Sequence, residues 1–307
     1  MKKDLTAVSD LSREELLALL EYSRKLKQEL KSKPRLPLAD GRICALIFEK
    51  PSLRTRVTFE VGMRQLCGSA VYLGPGDIGL GKRETVPDVA RNLSRWVDCI
   101  VARVFEHSKI TELAGNASVP VINALSDESH PCQILADLLT VLEHRGSVEG
   151  AVIAWTGDGN NVCHSLMLGC ALAGANLRVA TPKGFEPNAR YVKLAREYAK
   201  ETGAELALTH DPGEAARDAD FVYTDVWASM GQEEHAAHRA KIFRPFQLNA
   251  RLMQHARPEA KVLHCLPAHR GQEIAAEVLD GPQSVVLDQA ENRLHAQRAL
   301  LAELLSR

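Results

Sequence analysis

The chain of 307 residues has no Cys-X-X-Cys pair, few aromatic residues and no long uninterrupted apolar run. Its seven cysteines are an odd number at scattered positions, which argues against a disulfide framework or a zinc knuckle. Most of them lie in apolar stretches, where a cysteine usually packs as a small core residue. Reduced thiols of this kind predict a cytoplasmic protein, and neither a metal nor a cofactor is expected.

The chain also lacks an excess of charge of one sign. Its 38 Lys and Arg residues balance 39 Asp and Glu residues, for a formal net charge of −1. We therefore expect no nucleic acid and no membrane as a partner. No apolar stretch approaches the roughly 20 residues that span a bilayer. The first 20 residues predict an amphipathic helix after Ser12 and not a signal peptide.

Short apolar runs alternate with helical patterns along the whole chain, which predicts βαβ units with parallel sheets. The length suggests about two domains. The predicted fold class is therefore α/β, with two domains that each contain a mostly parallel, doubly wound sheet flanked by helices. The boundary is placed in the polar segment 145–150, so that the first domain is 1–145 and the second is 146–307.

The predicted elements can be stated with their bounds. The strands are 42–48, 69–73, 98–104, 119–122, 151–156, 177–181, 205–209, 220–225, 261–264 and 284–288. The helices are 12–31, 53–66, 85–96, 131–144, 161–173, 187–202, 212–218, 271–279 and 290–305. Two stretches, 74–84 and 226–245, are predicted to be long loops, which often bind ligands beside a parallel sheet.

Polar residues at the ends of predicted strands are candidates for a site, because ligands of open parallel sheets bind beyond the carboxyl ends of the strands. The segment 52–56 (Ser-Leu-Arg-Thr-Arg) follows the first strand and opens a helix. Its free N–H groups and guanidinium side chains suit a phosphate or a carboxylate. Taken alone, the segment is slightly better interpreted as a serine helix cap with exposed arginines, because serine is common at helix starts.

Two more candidates belong to the first domain. Arg103 ends an apolar strand, where it is either an ion-paired residue at the sheet margin or a ligand-binding residue. His130 and Pro131 begin a helix that continues with Cys132 and Gln133. At that position His130 could donate a hydrogen bond to a carbonyl oxygen, but taken alone it is better interpreted as a residue that caps the helix.

Three candidates belong to the second domain. The glycine-containing segment 157–161 suggests a dinucleotide loop, but the third glycine of that pattern falls at Val162, so its two asparagines could instead orient a zwitterionic substrate. Asp225 ends a strand ahead of Ser229 and Met230. Cys265 follows another strand, where a core thiol and a covalent nucleophile are both open. That all six candidates lie at strand ends favours a functional site over six unrelated structural residues.

Seven motifs occur in order between residues 42 and 300: PSLRTR, ARV, HPCQILAD, GDGNN, DVWASMG, HCLPAHRG and ENRLHAQ. Together they resemble the aspartate/ornithine carbamoyltransferase family. PxxRTR and HPxQ are similar to both branches, whereas Ser-Met-Gly and the cysteine of HCLP resemble the ornithine branch. The resemblance implies transfer of a carbamoyl group from carbamoyl phosphate to the δ-amine of L-ornithine, which gives L-citrulline and phosphate, most simply in arginine biosynthesis.

The resemblance also implies a role for each matched residue. The phosphate would be bound by Ser52, Arg54 and Thr55, with Leu53 contributing only its backbone where many relatives have threonine. The carbamoyl group would be held by Arg103, His130 and Gln133, beside Pro131 and Cys132. Ornithine would be held by Asn161, Asp225, Ser229 and Met230, with Cys265 and Leu266 where the substrates meet and Arg293 closing the site. The residues expected to act in catalysis are Arg103, His130, Asp225 and Cys265.

The resemblance further implies a homotrimer or a multiple of trimers, with sites near subunit interfaces and a last helix, 290–307, that returns to the first domain. The family's glutamine is absent from the loop 74–84, and Lys82 is the candidate replacement. N-acetylornithine and putrescine stay open as acceptors, as does the direction of flux. From another class of enzyme, an NAD-dependent dehydrogenase is disfavoured by the incomplete glycine pattern.

Overall fold

The computed structural model describes residues 3–228 and 236–306. The chain forms two compact units. Unit 1 contains Met1–Leu139 and Glu291–Arg307, and unit 2 contains Thr140–Ala290. Among the described helices, none is long and apolar enough to cross a membrane.

Unit 1 is built on a parallel sheet of four strands in the order β2-β1-β3-β4. Its elements are α1 (Arg13–Glu29), β1 (Ile43–Phe48), α2 (Leu53–Gln65), β2 (Ser69–Leu73), α3 (Pro75–Ile78), α4 (Val86–Leu93), β3 (Cys99–Arg103), α5 (His107–Asn116), β4 (Val121–Leu125) and the start of α6 (Pro131–Arg145). The strand order reverses between β1 and β3. The carboxyl ends of these two strands therefore flank the crevice in which an open sheet usually binds its ligand.

Hydroxyl side chains cap the helices α1, α2 and α4 of unit 1. Ser12, Ser52 and Thr85 each accept the N–H group three residues further on, which satisfies one of the donors that the first helical turn leaves free. The apolar faces of α4 and α5 pack on one side of the sheet, in a cluster of buried side chains that includes Ala45, Ile47, Val89, Ile100, Ile110, Leu113 and Val121. This burial stabilises the strands whose ends carry the candidate residues.

Unit 2 contains a parallel sheet of five strands in the order β7-β6-β5-β8-β9. Its elements are β5 (Val152–Thr156), α7 (Asn161–Ala173), β6 (Asn176–Ala180), α8 (Ala189–Thr202), β7 (Leu206–Thr209), α9 (Pro212–Ala216), β8 (Phe221–Thr224), α10 (Ala236–Phe243), α11 (Ala250–Met253), β9 (Lys261–His264), α12 (Ala276–Leu279) and α13 (Val286–Leu305), which continues into unit 1. One face of the sheet is covered by buried apolar side chains that include Ala154, Val222, Leu248, Val262 and Ile274. The switch in strand order lies between β5 and β8.

The predicted fold class is confirmed, since each unit has a doubly wound parallel sheet and the last helix belongs largely to unit 1. Side chains of that helix contact α2: Gln297 bonds Thr58 at 2.5 Å, and Arg298 Nη1 donates to Gln65 Oε1 at 3.0 Å. The division of the chain at 145/146 stays a proposal. Along the chain, the boundary between the two compact units falls within α6, between residues 139 and 140.

Five sequence predictions need correction. The segment 284–288 is not a strand, since Ser284 makes only an isolated bridge to Val262 and α13 begins at Val286. The helix α5 was not predicted, and the predicted helix 271–279 is reduced to α12. The two predicted loops contain the short helices α3 and α10.

Candidate active site

The predicted phosphate-binding segment lies at the strand switch of unit 1. Ser52 caps α2, where its hydroxyl accepts the Thr55 N–H at 3.3 Å. Arg103 is the last residue of β3, and its guanidinium Nη1 donates to Thr55 Oγ1 at 3.5 Å. Both Thr55 and Arg103 are buried, with 1% and 7% of their surface exposed. A buried arginine beside the start of a helix makes this edge of the sheet suited to an anion.

Arg293 of α13 connects the first turns of the helices α2 and α6. Its Nη2 donates to Thr55 Oγ1 at 3.2 Å, and its Nη1 donates to Gln133 Oε1 at 2.6 Å. The amide nitrogen of Gln133 donates in turn to Asp137 at 2.8 Å, so both ends of that amide are fixed. The structure thus brings Thr55, Arg103, Gln133 and Arg293 into one buried cluster.

His130 lies immediately before α6, and it is buried. Its burial lowers the pKa of the imidazole well below the usual value, and the positive charges of Arg293, Arg103 and Arg54 lower that pKa further. The ring is therefore neutral at physiological pH, and a neutral imidazole keeps one N–H to donate. Several guanidinium groups around a neutral buried histidine are typical of a site that binds an anion and a carbonyl oxygen.

Three other predicted residues, Leu53, Pro131 and Cys132, lie within two positions of Thr55 or Gln133 in the sequence. The side chain of Leu53 is 74% exposed. Pro131 is the first residue of α6. The thiol of Cys132 is fully buried, donates to Asn123 O at 3.4 Å, and has a pKa that burial raises to about 12. It is therefore an unreactive packing group.

Arg56, the last residue of the segment 52–56, has partners of its own on the surface. It donates to Glu60 at 2.8 Å and stacks over the ring of Tyr72. Of the two arginines in that segment, Arg56 thus forms an ion pair on the helix surface. This agrees with the alternative that the segment is a serine helix cap with exposed arginines.

In unit 2, the candidate residues gather at the switch between β5 and β8. Asn160 caps α7 by accepting the N–H groups of Val162 and Cys163, and its amide nitrogen donates to Asp225 Oδ2 at 2.8 Å. Asn161, the asparagine predicted from the sequence, is the first residue of the helix. The sequence analysis did not select Asn160 itself, although the strong preference for asparagine at the cap position is a signal that could have identified it.

Asp225 has a thiol neighbour from the adjacent strand. Cys265 directly follows β9, and its Sγ donates to Asp225 Oδ1 at 2.9 Å, an oxygen that also accepts the Val226 N–H at 2.8 Å. The carboxylate is 7% exposed and held by donors on both oxygens. A fixed carboxylate of this kind suits an ammonium group. Ser229 and Met230, predicted to lie beside it, fall outside the described residues.

One donor atom each from Asp225, His264 and Cys265 lies within 4.8 Å of the others, as in a possible metal site. However, both ring nitrogens of His264 already have hydrogen-bond partners, the Leu266 N–H and the Glu273 carboxylate. A metal ion would have to displace one of these buried contacts, so the donor set does not fit a metal without rearrangement.

A further ion pair supports this end of unit 2. Arg239 of α10 donates to Asp158 Oδ2 at 2.5 Å and also to the Trp227 carbonyl. Burial raises the pKa of Asp158 to about 6, against the opposing charge of Arg239. The sequence pattern did not single out this pair, because α10 was predicted to be loop.

Two family models match the chain. The model described as "Aspartate/ornithine carbamoyltransferase, carbamoyl-P binding domain" matches residues 3–143. The model described as "Aspartate/ornithine carbamoyltransferase, Asp/Orn binding domain" matches residues 149–304. Together they cover nearly the whole chain.

Curated proteins and solved structures agree with these matches. Ornithine carbamoyltransferase of Pyrococcus abyssi is 52% identical over 303 residues, which are 99% of this chain and 96% of that protein. The solved ornithine carbamoyltransferase of Pyrococcus furiosus superimposes with a TM-score of 0.95 at 52% identity, covering 98% of this chain and 96% of that one. The anabolic ornithine carbamoyltransferase of Campylobacter jejuni gives a TM-score of 0.93 at 37% identity, over 99% of both chains. The chain therefore belongs to the aspartate/ornithine carbamoyltransferase family, as a carbamoyl-group transferase of the ornithine type.

Proposed function

We propose that this enzyme transfers the carbamoyl group of carbamoyl phosphate to the δ-amine of L-ornithine, with L-citrulline and phosphate as products. The observation that carries the choice of acceptor is the 2.9 Å contact between Asp225 and Cys265. A buried carboxylate attracts the amino groups of ornithine, whereas it would repel the carboxylates of aspartate, the other acceptor in this family.

Carbamoyl phosphate is assigned to the cluster of unit 1. Ser52, Arg54 and Thr55, with the N–H groups of the first turn of α2, would bind its phosphate. The guanidinium of Arg103 and the neutral imidazole of His130 would donate to its carbonyl oxygen. Support comes from the guanidinium groups of Arg293, Arg103 and Arg54, whose positive charges add to the effect of burial in lowering the pKa of His130. Gln133 would hold the carbamoyl amide, since Arg293 and Asp137 fix its own orientation.

The reaction begins with attack of the neutral δ-amine on the carbamoyl carbon. A C–N bond forms, and negative charge develops on the carbonyl oxygen, where Arg103, His130 and the Thr55 hydroxyl stabilise it. Each donor of this type typically contributes about 3 kcal/mol. The C–O bond to phosphate then breaks, and the phosphate leaves towards the start of α2 with the proton that the amine loses.

Cys265 is assigned a positioning role in this scheme, not that of a covalent nucleophile. Its thiol donates to Asp225, so the pair can orient the δ-amine without a carbamoyl-enzyme intermediate. Asn161 and the Leu266 backbone would hold the remaining parts of ornithine, together with Ser229 and Met230. We also propose that flux runs towards citrulline for arginine biosynthesis, since relatives from Pyrococcus furiosus and Campylobacter jejuni are named anabolic. The cytoplasmic location is proposed from the scattered cysteines, which are all free thiols in the structure.

An acceptor assay tests this proposal. The enzyme is supplied with carbamoyl phosphate and, in turn, ornithine, N-acetylornithine, putrescine and aspartate, and the carbamoylated products are measured. We expect ornithine to give the highest kcat/KM, and a higher value for another acceptor would contradict the proposal.

Two variants test the assigned roles. Arg54→Ala should abolish binding of carbamoyl phosphate, and retained affinity would exclude the phosphate cradle. Cys265→Ala should raise the KM for ornithine while some turnover persists. Mass-spectrometric trapping of a carbamoylated Cys265 in the unmodified enzyme would instead establish a covalent route.

We further propose that the enzyme is a homotrimer or a multiple of trimers. A mass in solution of three chains, or a multiple of three, is expected from light scattering.

A further inference from the structure

His264 and Glu273 form a fully buried pair directly beside the candidate acceptor site. His264 is the last residue of β9, and Glu273 lies nine residues further along the chain. Neither side chain is exposed to solvent, and His264 Nε2 lies 3.2 Å from Glu273 Oε1. The mechanism proposed above uses neither residue, so the pair needs its own explanation.

The hydrogen bonds of His264 define its tautomer. Its Nδ1 accepts the backbone N–H of Leu266 at 2.8 Å, so the ring proton must be on Nε2, from which it is donated to Glu273. The backbone N–H of His264 donates to Gln289 Oε1 at 2.8 Å, which fixes the residue from the other side. The imidazole therefore holds the main chain of the residue two positions on.

Glu273 holds the same segment from its far end. Its Oε1 also accepts the backbone N–H of His269 at 2.5 Å. Burial would raise the pKa of Glu273, but the hydrogen bonds from His264 and His269 outweigh it and keep that pKa below the usual value. One ionised carboxylate thus fastens the chain both before and after residues 265–268.

The segment needs this fastening because Leu266 has a left-handed backbone, with φ of 56°. A residue with a branched side chain rarely adopts this conformation unless the surrounding structure over-determines it. Cys265, whose thiol contacts Asp225, lies between His264 and Leu266. Any relaxation of Leu266 would therefore move the thiol of Cys265 and the Leu266 backbone together.

We propose that His264 and Glu273 are a positioning pair that sets the geometry of Cys265 and Leu266 for the amine acceptor. This inference rests on the proposed function, because it deepens the role given there to the acceptor side of the site. The imidazole acts through its Nδ1 acceptor on the Leu266 N–H, and the carboxylate acts by holding the imidazole in the required tautomer and orientation.

Substitutions that mimic one ring nitrogen at a time separate these contacts. In His264→Asn the amide oxygen lies near the position of Nδ1 and can still accept the Leu266 N–H, whereas in His264→Gln the amide lies near Nε2 and cannot. We expect His264→Gln to raise the KM for ornithine at least tenfold, with the KM for carbamoyl phosphate changed less than twofold. His264→Asn should have the smaller effect on the KM for ornithine.

Glu273 is tested in the same way. Glu273→Ala should raise the KM for ornithine, whereas Glu273→Gln, which keeps an oxygen acceptor, should restore most of the loss. The control is His255→Gln, at an exposed histidine of unit 2, which should leave all kinetic constants unchanged. If His264→Gln and Glu273→Ala lower only the melting temperature, or change both KM values equally, the pair is merely structural and the inference is overturned.

The rate at which iodoacetamide alkylates Cys265 gives a readout that needs no acceptor. It should change several-fold in His264→Gln and little in His264→Asn, and equal rates in the two variants would overturn the inference. An unmodified enzyme that does not carbamoylate ornithine would contradict the proposed function, while the alkylation rates would still decide the role of the pair.

Discussion

Asp158 offers a quantitative test of the electrostatics of unit 2. Its side chain is 14% exposed, and burial raises its pKa from 3.8 to about 6, with Arg239 opposing and Asp225 adding to the shift. A rise of this size corresponds to about 3 kcal/mol, at roughly 1.4 kcal/mol for each pKa unit. Because the folded protein binds this proton more tightly than the unfolded chain, the contribution to stability is complete below pH 3.8 and is lost as the pH rises through 6.

The perturbation is Asp158→Asn, since asparagine does not titrate. We expect the free energy of unfolding of the unsubstituted protein to fall relative to that of the variant by up to about 3 kcal/mol between pH 4 and pH 7. Loss of the ion pair to Arg239 also shifts the free energy of unfolding of the variant by an offset. That offset cannot reproduce a loss of stability that develops as the pH rises through 6. Urea denaturation is followed by tryptophan fluorescence in a Trp96→Phe background, because the remaining tryptophans, Trp155 and Trp227, both belong to unit 2.

Asp280 provides a control of opposite sign. A hydrogen bond from Arg270 lowers its pKa, so its contribution to stability is present at neutral pH and lost as the pH falls through the folded pKa. Asp280→Asn should therefore give a difference curve that slopes the other way. A difference between the unsubstituted protein and Asp158→Asn that does not vary from pH 4 to pH 7 would refute the argument that burial outweighs the charge of Arg239.

Three further outcomes are expected. Arg239→Met should destabilise unit 2 by about 3 kcal/mol at pH 7.5 and by less at pH 5, where Asp158 takes up a proton; equal losses in denaturation at both pH values would contradict this. Thr55→Val removes the hydroxyl that accepts hydrogen bonds from Arg103 and Arg293. It should raise the KM for carbamoyl phosphate roughly tenfold, which corresponds to about 1.4 kcal/mol, with Thr55→Ser as the control. An unchanged KM would exclude a role of this hydroxyl in binding carbamoyl phosphate. Arg298 is fully buried, burial lowers its pKa to about 10, and its Nε and Nη2 have no hydrogen-bond partner in the described part of the chain. Arg298→Met should therefore raise the free energy of unfolding by about 1 kcal/mol. A lower free energy of unfolding in this variant would show that the cation stabilises unit 1.

The periodicity of the sequence was sufficient to predict both sheets, because parallel strands that are buried on both faces leave short, uninterrupted apolar runs. The same property explains the wrong strand at 284–288. Its Val-Val-Leu run suits a buried helix start as well as a strand, and the tertiary contacts of α13 decide between them. The helix α5 was missed because its ten residues are mostly polar and only Ile110 and Leu113 are buried.

The strand-end rule selected the correct region of each unit, but it could not predict which polar atoms meet. The contact between Cys265 and Asp225 joins residues 40 positions apart, and the contact between Arg293 and Thr55 joins residues 238 positions apart. Asn160, and not its neighbour Asn161, contacts Asp225 because Asn160 occupies the helix cap. Helix boundaries are uncertain by a few residues when they are predicted from sequence, so the sequence could not decide between the two asparagines. The pair of His264 and Glu273 left no signal in the sequence, since buried charges are recognised only once their surroundings are known.

The segment Glu291–Arg307 has a consequence for biosynthesis, because it completes a unit whose other residues all precede Thr140. On the ribosome, the first part of unit 1 emerges long before Arg293, Gln297 and Arg298, and it must wait while the whole of unit 2 is translated. Unit 2 is continuous in sequence, so it can fold as soon as it has emerged, in contrast to the usual order in which the N-terminal domain folds first. The nascent chain therefore cannot assemble the buried cluster around Thr55 until its synthesis has passed Arg293, and during that interval the exposed face of unit 1 is a natural substrate for chaperones.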